Sequence, residues 1–84
     1  MSTVSSLRPE QPGRPYLTVI PDRTPREKVY TRLSHARAAI SGRYYMPRGA
    51  ALYEWNEDAN DWTLLFEVPP GERIARGQFP WQKP

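Results

Sequence analysis

Of the side chains most used as nucleophiles, general bases and soft metal ligands, this chain has one histidine, His35, and no cysteine. The missing cysteines exclude disulfides, a thiolate nucleophile and every thiolate metal site. His35 falls between Leu33 and Ala36 in a stretch of helical period, on the polar side of the apolar stripe. With no second histidine beside it, it reads as a surface residue. The carboxylates Glu57, Asp58 and Asp61 lie close together. They lack the D-x-D-x-D-G order and closing Glu of a calcium loop, and read as a solvated turn that discourages strand pairing. Gly42, Gly49, Gly71 and Gly77 form no phosphate-binding pattern. The sequence thus offers no catalytic residue, no metal site and no cofactor, and a chain of 84 residues seldom holds a catalytic cleft. The expected class is non-enzymatic.

Arginine is the remaining functional group in quantity. Arg23, Arg26, Lys28, Arg32, Arg37, Arg43 and Arg48 run before and along the helical stretch, with Tyr30, Tyr44 and Tyr45 nearby. Guanidinium groups beside aromatic rings can hold phosphates and stack on bases, so nucleic-acid binding is one expectation. The net charge is only +3, but residues 1–50 carry nine Lys or Arg against three acidic residues, and residues 51–84 three against six. On a helical wheel Arg37 and Arg43 flank the apolar stripe, and the opposite face is Ser34, His35, Ala38, Ser41 and Gly42. A helix that reads base edges usually carries Arg, Lys, Asn or Gln there. A protein partner therefore fits that bland face as readily as a groove of DNA.

These side chains need elements to position them. Ala51, Tyr53 and Trp55 alternate with Leu52, Glu54 and Asn56, and Trp62, Leu64, Phe66 and Val68 alternate with polar neighbours. Period two predicts a β-hairpin over Ala51–Val68. Facing Trp55 with Trp62 sets Tyr53 opposite Leu64 and Ala51 opposite Phe66, across a turn Asn56–Asp61. On the other face Leu52 meets Leu65 and Glu54 meets Thr63. Leu33, Ala36, Ile40 and Tyr44 fall at helical spacing and predict a helix over Arg32–Tyr44, capped by Thr31 or Ser34 and ended near Gly42 and Pro47. Lys28–Thr31 and Tyr16–Ile20 read as short strands, the latter at a sheet edge because Pro15 and Pro21 bound it. The expected fold is a small α+β domain, β-α-β-β, with the helix on the aromatic face of the hairpin and a possible added N-terminal edge strand.

Proline marks the boundaries: five of the ten lie in residues 1–25 and four in residues 69–84. Residues 1–14 read as a proline-rich disordered tail, 15–68 as the domain with its core in 26–68, and 69–84 as a C-terminal tail. Pro9, Pro12 and Pro15 give P-x-x-P spacing, a pattern common in such tails. Ile74, Phe79 and Trp81 stand out in the C-terminal segment. One reading lays them back over the domain to cover Leu52 and Leu65. The other makes them anchors in a partner's pocket, since aromatics dominate interface hot spots. The start, Met1–Pro15, lacks the apolar run of a signal peptide, and no stretch approaches the roughly 18 apolar residues of a membrane span. The expectation is a soluble, cytoplasmic chain with a protein partner contacted through Leu52, Leu65, Ile74, Phe79 and Trp81. A structural role in a virion or a self-assembled complex, with the hairpin edge extending a sheet between copies, is the third expectation.

VYTRLSHARAAISGR (Val29–Arg43), followed by ALYEWNEDANDWTLLFEVPPG (Ala51–Gly71), resembles small uncharacterised proteins encoded by phages of actinobacteria. The shared features are the aromatic-Thr strand end, the Ala/Arg-rich helix and the YEW…W hairpin. The resemblance implies a non-enzymatic phage protein that binds a host or phage component, and it carries no catalytic residues over.

Overall fold

The hairpin pattern is realised as the wide half of a four-stranded antiparallel sheet in the order β2-β1-β3-β4. The computed structural model describes residues 15–40, 47–71 and 79–81. The elements are β1 (Tyr16–Val19), β2 (Glu27–Tyr30), α1 (Leu33–Ile40), β3 (Ala50–Asn56) and β4 (Asp61–Val68). One helix against an antiparallel sheet is the α+β class that the sequence predicts. No helix among the described residues is long and apolar enough to cross a membrane.

β1 corrects the expectation of an edge strand. It lies inside the sheet, with Leu17 opposite Val29 on one side and Tyr53 on the other. Pro15 and Pro21 flank the strand without entering it, so all four of its N–H groups remain available to the ladders. The Pro15 carbonyl even serves the sheet, accepting a bond from the Trp55 N–H at 3.1 Å. Within the described residues α1 ends at Ile40, and Gly42 and Tyr44 lie outside them. Its first turn closes with the Ala36 N–H donating to the Arg32 carbonyl at 3.1 Å, which makes Arg32 the N-cap and Leu33 the first helical residue, in place of the expected caps Thr31 or Ser34.

The hairpin register follows the alternation only part of the way. Asn56 pairs with Asp61, Trp55 with Trp62, Glu54 with Thr63 and Tyr53 with Leu64, and then the register shifts: Leu52 pairs with Phe66 and Ala51 with Glu67. Leu65 is the extra residue of a β-bulge. One inserted residue turns everything beyond it to the other face. Phe66 and Val68 therefore leave the side of Tyr53 and Trp55 and join Ala50 and Leu52. The turn shrinks to Glu57–Asn60. Asn60 takes φ 51° and the Ala59 N–H donates to the Asn56 side-chain oxygen at 3.2 Å, chemistry that Asn supplies readily.

α1 packs on this face. Ala36 and Ile40 meet Tyr16, Ile20, Ala50, Leu52 and Val68, with Leu33, Tyr30 and Phe66 partly buried around them. Phe79 reaches back into the same cluster and is 2% exposed. The core thus extends beyond the predicted span of 26–68 at both ends, to Tyr16 and to Phe79. Of the residues expected inside, Leu64 is 47% exposed. On the opposite face Trp55 and Trp62 meet edge to face at 5.1 Å, and Leu17 and Trp62 are buried. Gly49 holds the approach to β3 at φ +78°; a Cβ there would collide with the Val68 carbonyl, so only glycine fits.

Candidate functional site

A groove runs between α1 and β4. Its helix wall is Leu33 and Arg37, one turn apart and so on one side of α1. Its floor is Leu52 and Phe66, brought to this face by the bulge, and Glu54 lies along β3 on the same side. Pro80 and Trp81 close one end, and Leu65, thrown outward by the bulge, stands at the mouth. The groove holds about 510 Å³, within the roughly 300–1,000 Å³ of small-ligand clefts.

The aromatic end is built by mutual packing. Trp81 meets Phe66 edge to face at 4.9 Å and stacks on Phe79 at 5.1 Å, while Phe66 and Phe79 lie 5.7 Å apart. The Arg37 guanidinium sits 5.4 Å from the Trp81 ring centre, a cation–π contact that fixes its head beside the groove. Among the described residues the site therefore presents an apolar surface with one cation, Arg37, on the helix wall and one carboxylate, Glu54, on the sheet wall. Nothing in that set is a nucleophile paired with a base.

A second, shallower hollow of about 180 Å³ lies at the other end of the sheet and includes Arg48, Tyr53 and Glu67. Burial pushes the Tyr53 hydroxyl above its ordinary 10.0, and the nearby Glu67 carboxylate adds to the effect.

No protein-family model, curated protein or solved structure matches this chain.

The predicted contact residues separate. Leu52 is corrected from surface to core: it is 1% exposed, on the groove floor beneath the helix. Phe79 is likewise buried in the core, whereas Trp81 is partly exposed and forms a groove wall. Leu65 is 46% exposed. Ile74 lies outside the described residues. Arg26 and Arg32 are exposed, and Lys28 lies 5.4 Å from the Tyr30 ring centre. Arg48 pairs with Asp22 at 3.6 Å, its N–H also donating to that carboxylate at 2.9 Å, and Arg37 lies over Trp81. Arg43 lies outside the described residues. Sequence reasoning missed the groove itself, with Leu33, Arg37, Glu54, Phe66 and Trp81 as its parts. One signal pointed to it: the run Leu64–Leu65–Phe66 breaks strict alternation, as a bulged strand does.

Proposed function

We propose that this chain is a small non-enzymatic protein-interaction module that binds through the α1–β4 groove. The observation that carries the reading is Leu65, 46% exposed at the mouth of a groove walled by Phe66 and Trp81. A large apolar side chain held outward by a bulge, beside aromatic rings, is the composition of an interface core. The nucleic-acid reading draws less support, because Arg37, Arg48 and Lys28 are each engaged with a neighbour within the fold. The test is recovery of bound protein from a nuclease-treated bacterial lysate by the tagged chain and by its Leu65→Asp variant. Leu65 is exposed, so the variant folds. A stoichiometric protein held by the unmodified chain and lost by the variant is the expected result. Equal recovery by both chains refutes the groove, and binding that vanishes with nuclease transfers the function to the basic residues.

A further inference from the structure

We infer that residues 1–14 fold back over the sheet face opposite α1 and cover Leu17 and the Trp55–Trp62 pair. The observation is burial that no described element explains. Leu17 is 0% exposed and Trp62 5%. Both lie on the face of Tyr53 and Trp55, away from the helix. α1 packs on the other side, and no described strand or helix lies over this one. β4 is the outermost strand, so Trp62 has Trp55 on one flank, at 5.1 Å, and no strand on the other. A large ring at the edge of an open sheet face loses nearly all its surface only when something lies on top of it. Leu64, next on the same face of β4, is exposed, so the cover lies at the Trp62 end and stops short of it.

Chain lengths select the segment. Residues 72–78 join Gly71, whose N–H donates to the Pro47 carbonyl at the Ala50 end of the sheet, to Phe79 in the core beside Phe66. Covering Trp62 would take roughly 20 Å out along β4 and roughly 13 Å back, more than the ~28 Å that eight residue steps span at most. Residues 41–46 run from α1 to Pro47, and both anchors lie away from the tryptophan pair. Residues 82–84 leave Trp81 on the α1 side and reach about 10 Å, no more than the distance from β4 to β1 alone. Residues 1–14 start at the right place. Pro15 is buried and its carbonyl accepts the Trp55 N–H at 3.1 Å, so the chain enters the sheet beside the tryptophans.

The sequence supplies the reversal. Gln11-Pro12-Gly13-Arg14 has Pro and Gly at the two central positions, the residues of a type II turn. A turn there sends residues 1–11 back over the face that Pro15 enters. Pro9 and Leu7 are the apolar residues next along, and Leu7 lies four residues from Gln11, about 13 Å of extended chain. That length carries them across Leu17 to Trp62. Proline rings dock on aromatic surfaces without joining a ladder, so a segment that can enter neither helix nor strand still covers this face. The face is separate from the α1–β4 groove, and the inference does not depend on what the groove binds.

The experiment is nuclear magnetic resonance on the full chain, where the indole N–H signals report the tryptophans one by one. In Leu7→Asp the Trp62 indole N–H is expected to exchange with solvent at least about ten-fold faster, with Trp81 unchanged. The chain has no cysteine, so Ser6→Cys accepts a single nitroxide label. The label is expected to broaden the signals of Leu17, Trp55 and Trp62 and to spare Ala36 and Ile40 in α1. Broadening that is even over both faces, or strongest in α1, overturns the inference, as does Trp62 exchange that Leu7→Asp leaves unchanged. Protection of Trp62 that weakens as the unmodified chain is diluted assigns the cover to a second copy and overturns it likewise. If Leu7→Asp loses the amide signals of α1, the label alone decides: broadening of Leu17 and Trp62 supports the inference and its absence overturns it.

Discussion

Truncating Phe79 to alanine removes a ring that is 2% exposed and touches two other rings, Phe66 at 5.7 Å and Trp81 at 5.1 Å. Phe→Ala in a packed core costs about 3–5 kcal/mol, the lost transfer energy plus the cavity left behind. Each aromatic pair adds about 0.5–1.5 kcal/mol beyond area burial, and part of that is already contained in the truncation value. A chain of 84 residues has about 4–13 kcal/mol of stability in total by the usual per-residue range. The core here is small, which favours the lower end. The substitution should therefore remove most of the stability, lowering the thermal midpoint by about 12–40 °C at 4–8 °C per kcal/mol. Far-ultraviolet dichroism through a thermal melt and a urea titration measures it, with Leu65→Ala as the exposed control expected within about 0.5 kcal/mol of the parent. A Phe79→Ala chain that melts within a few degrees of the parent would refute the reasoning. It would mean that the C-terminal aromatics are not part of the core, and it would return Phe79 to the candidates for partner contact.

Three further outcomes follow from the same geometry. Deleting Leu65 removes the bulge but joins Leu64 directly to Phe66, so Phe66 stays opposite Leu52 and Val68 opposite Ala50 on the face of α1, and the deletion should keep a cooperative urea transition, as Leu65→Ala does; loss of that transition would show that the bulge itself is needed. Gly49→Ala meets both a left-handed backbone and the Val68 carbonyl, whereas Gly71→Ala at φ +80° has open space. Urea midpoints should show Gly49→Ala losing clearly more than the ~1–2 kcal/mol of the backbone penalty alone, and Gly71→Ala no more than that. Tyr53 binds its proton more tightly folded than unfolded, so its contribution is fully present below 10.0 and lost as pH climbs through the raised folded value. Stability should fall with rising alkaline pH, and Tyr53→Phe should flatten that fall; an equal slope in both chains contradicts the assignment.

The parts legible in the sequence are those governed by local rules. Leu33, Ala36 and Ile40 gave the helix, and the pairs Trp55–Trp62, Glu54–Thr63 and Tyr53–Leu64 followed from alternation and a polar turn. Beyond Leu64 alternation failed. A bulge changes no residue type; it changes which neighbour each residue faces, and period two carries no mark of that except three apolar residues in succession. The interior place of β1 was hidden for another reason. Prolines at Pro15 and Pro21 look alike in sequence whether they flank a central strand or an edge, and only pairing with both Val29 and Tyr53 distinguishes the two. Phe79 was ambiguous because burial of an aromatic beyond the last strand depends on whether an empty place in the core awaits it. That place is made by Phe66, and Phe66 faces it only because of the bulge.

Fold and candidate site therefore depend on one residue in two separable ways. The bulge absorbs the backbone of Leu65 as an extra position, which keeps Phe66 facing α1 and Phe79. Its side chain, turned outward, makes the groove mouth. Any residue can occupy a bulge of this kind at modest cost, so stability alone does not call for leucine there. A purely structural role predicts that Leu65→Ala and Leu65→Asp leave both folding and association unchanged. The binding role predicts unchanged folding and lost association for Leu65→Asp and for the deletion, which keeps Phe66 opposite Leu52. The two substitutions and the deletion, compared by melting and by capture of a partner from lysate, separate what the backbone does at this position from what the side chain does.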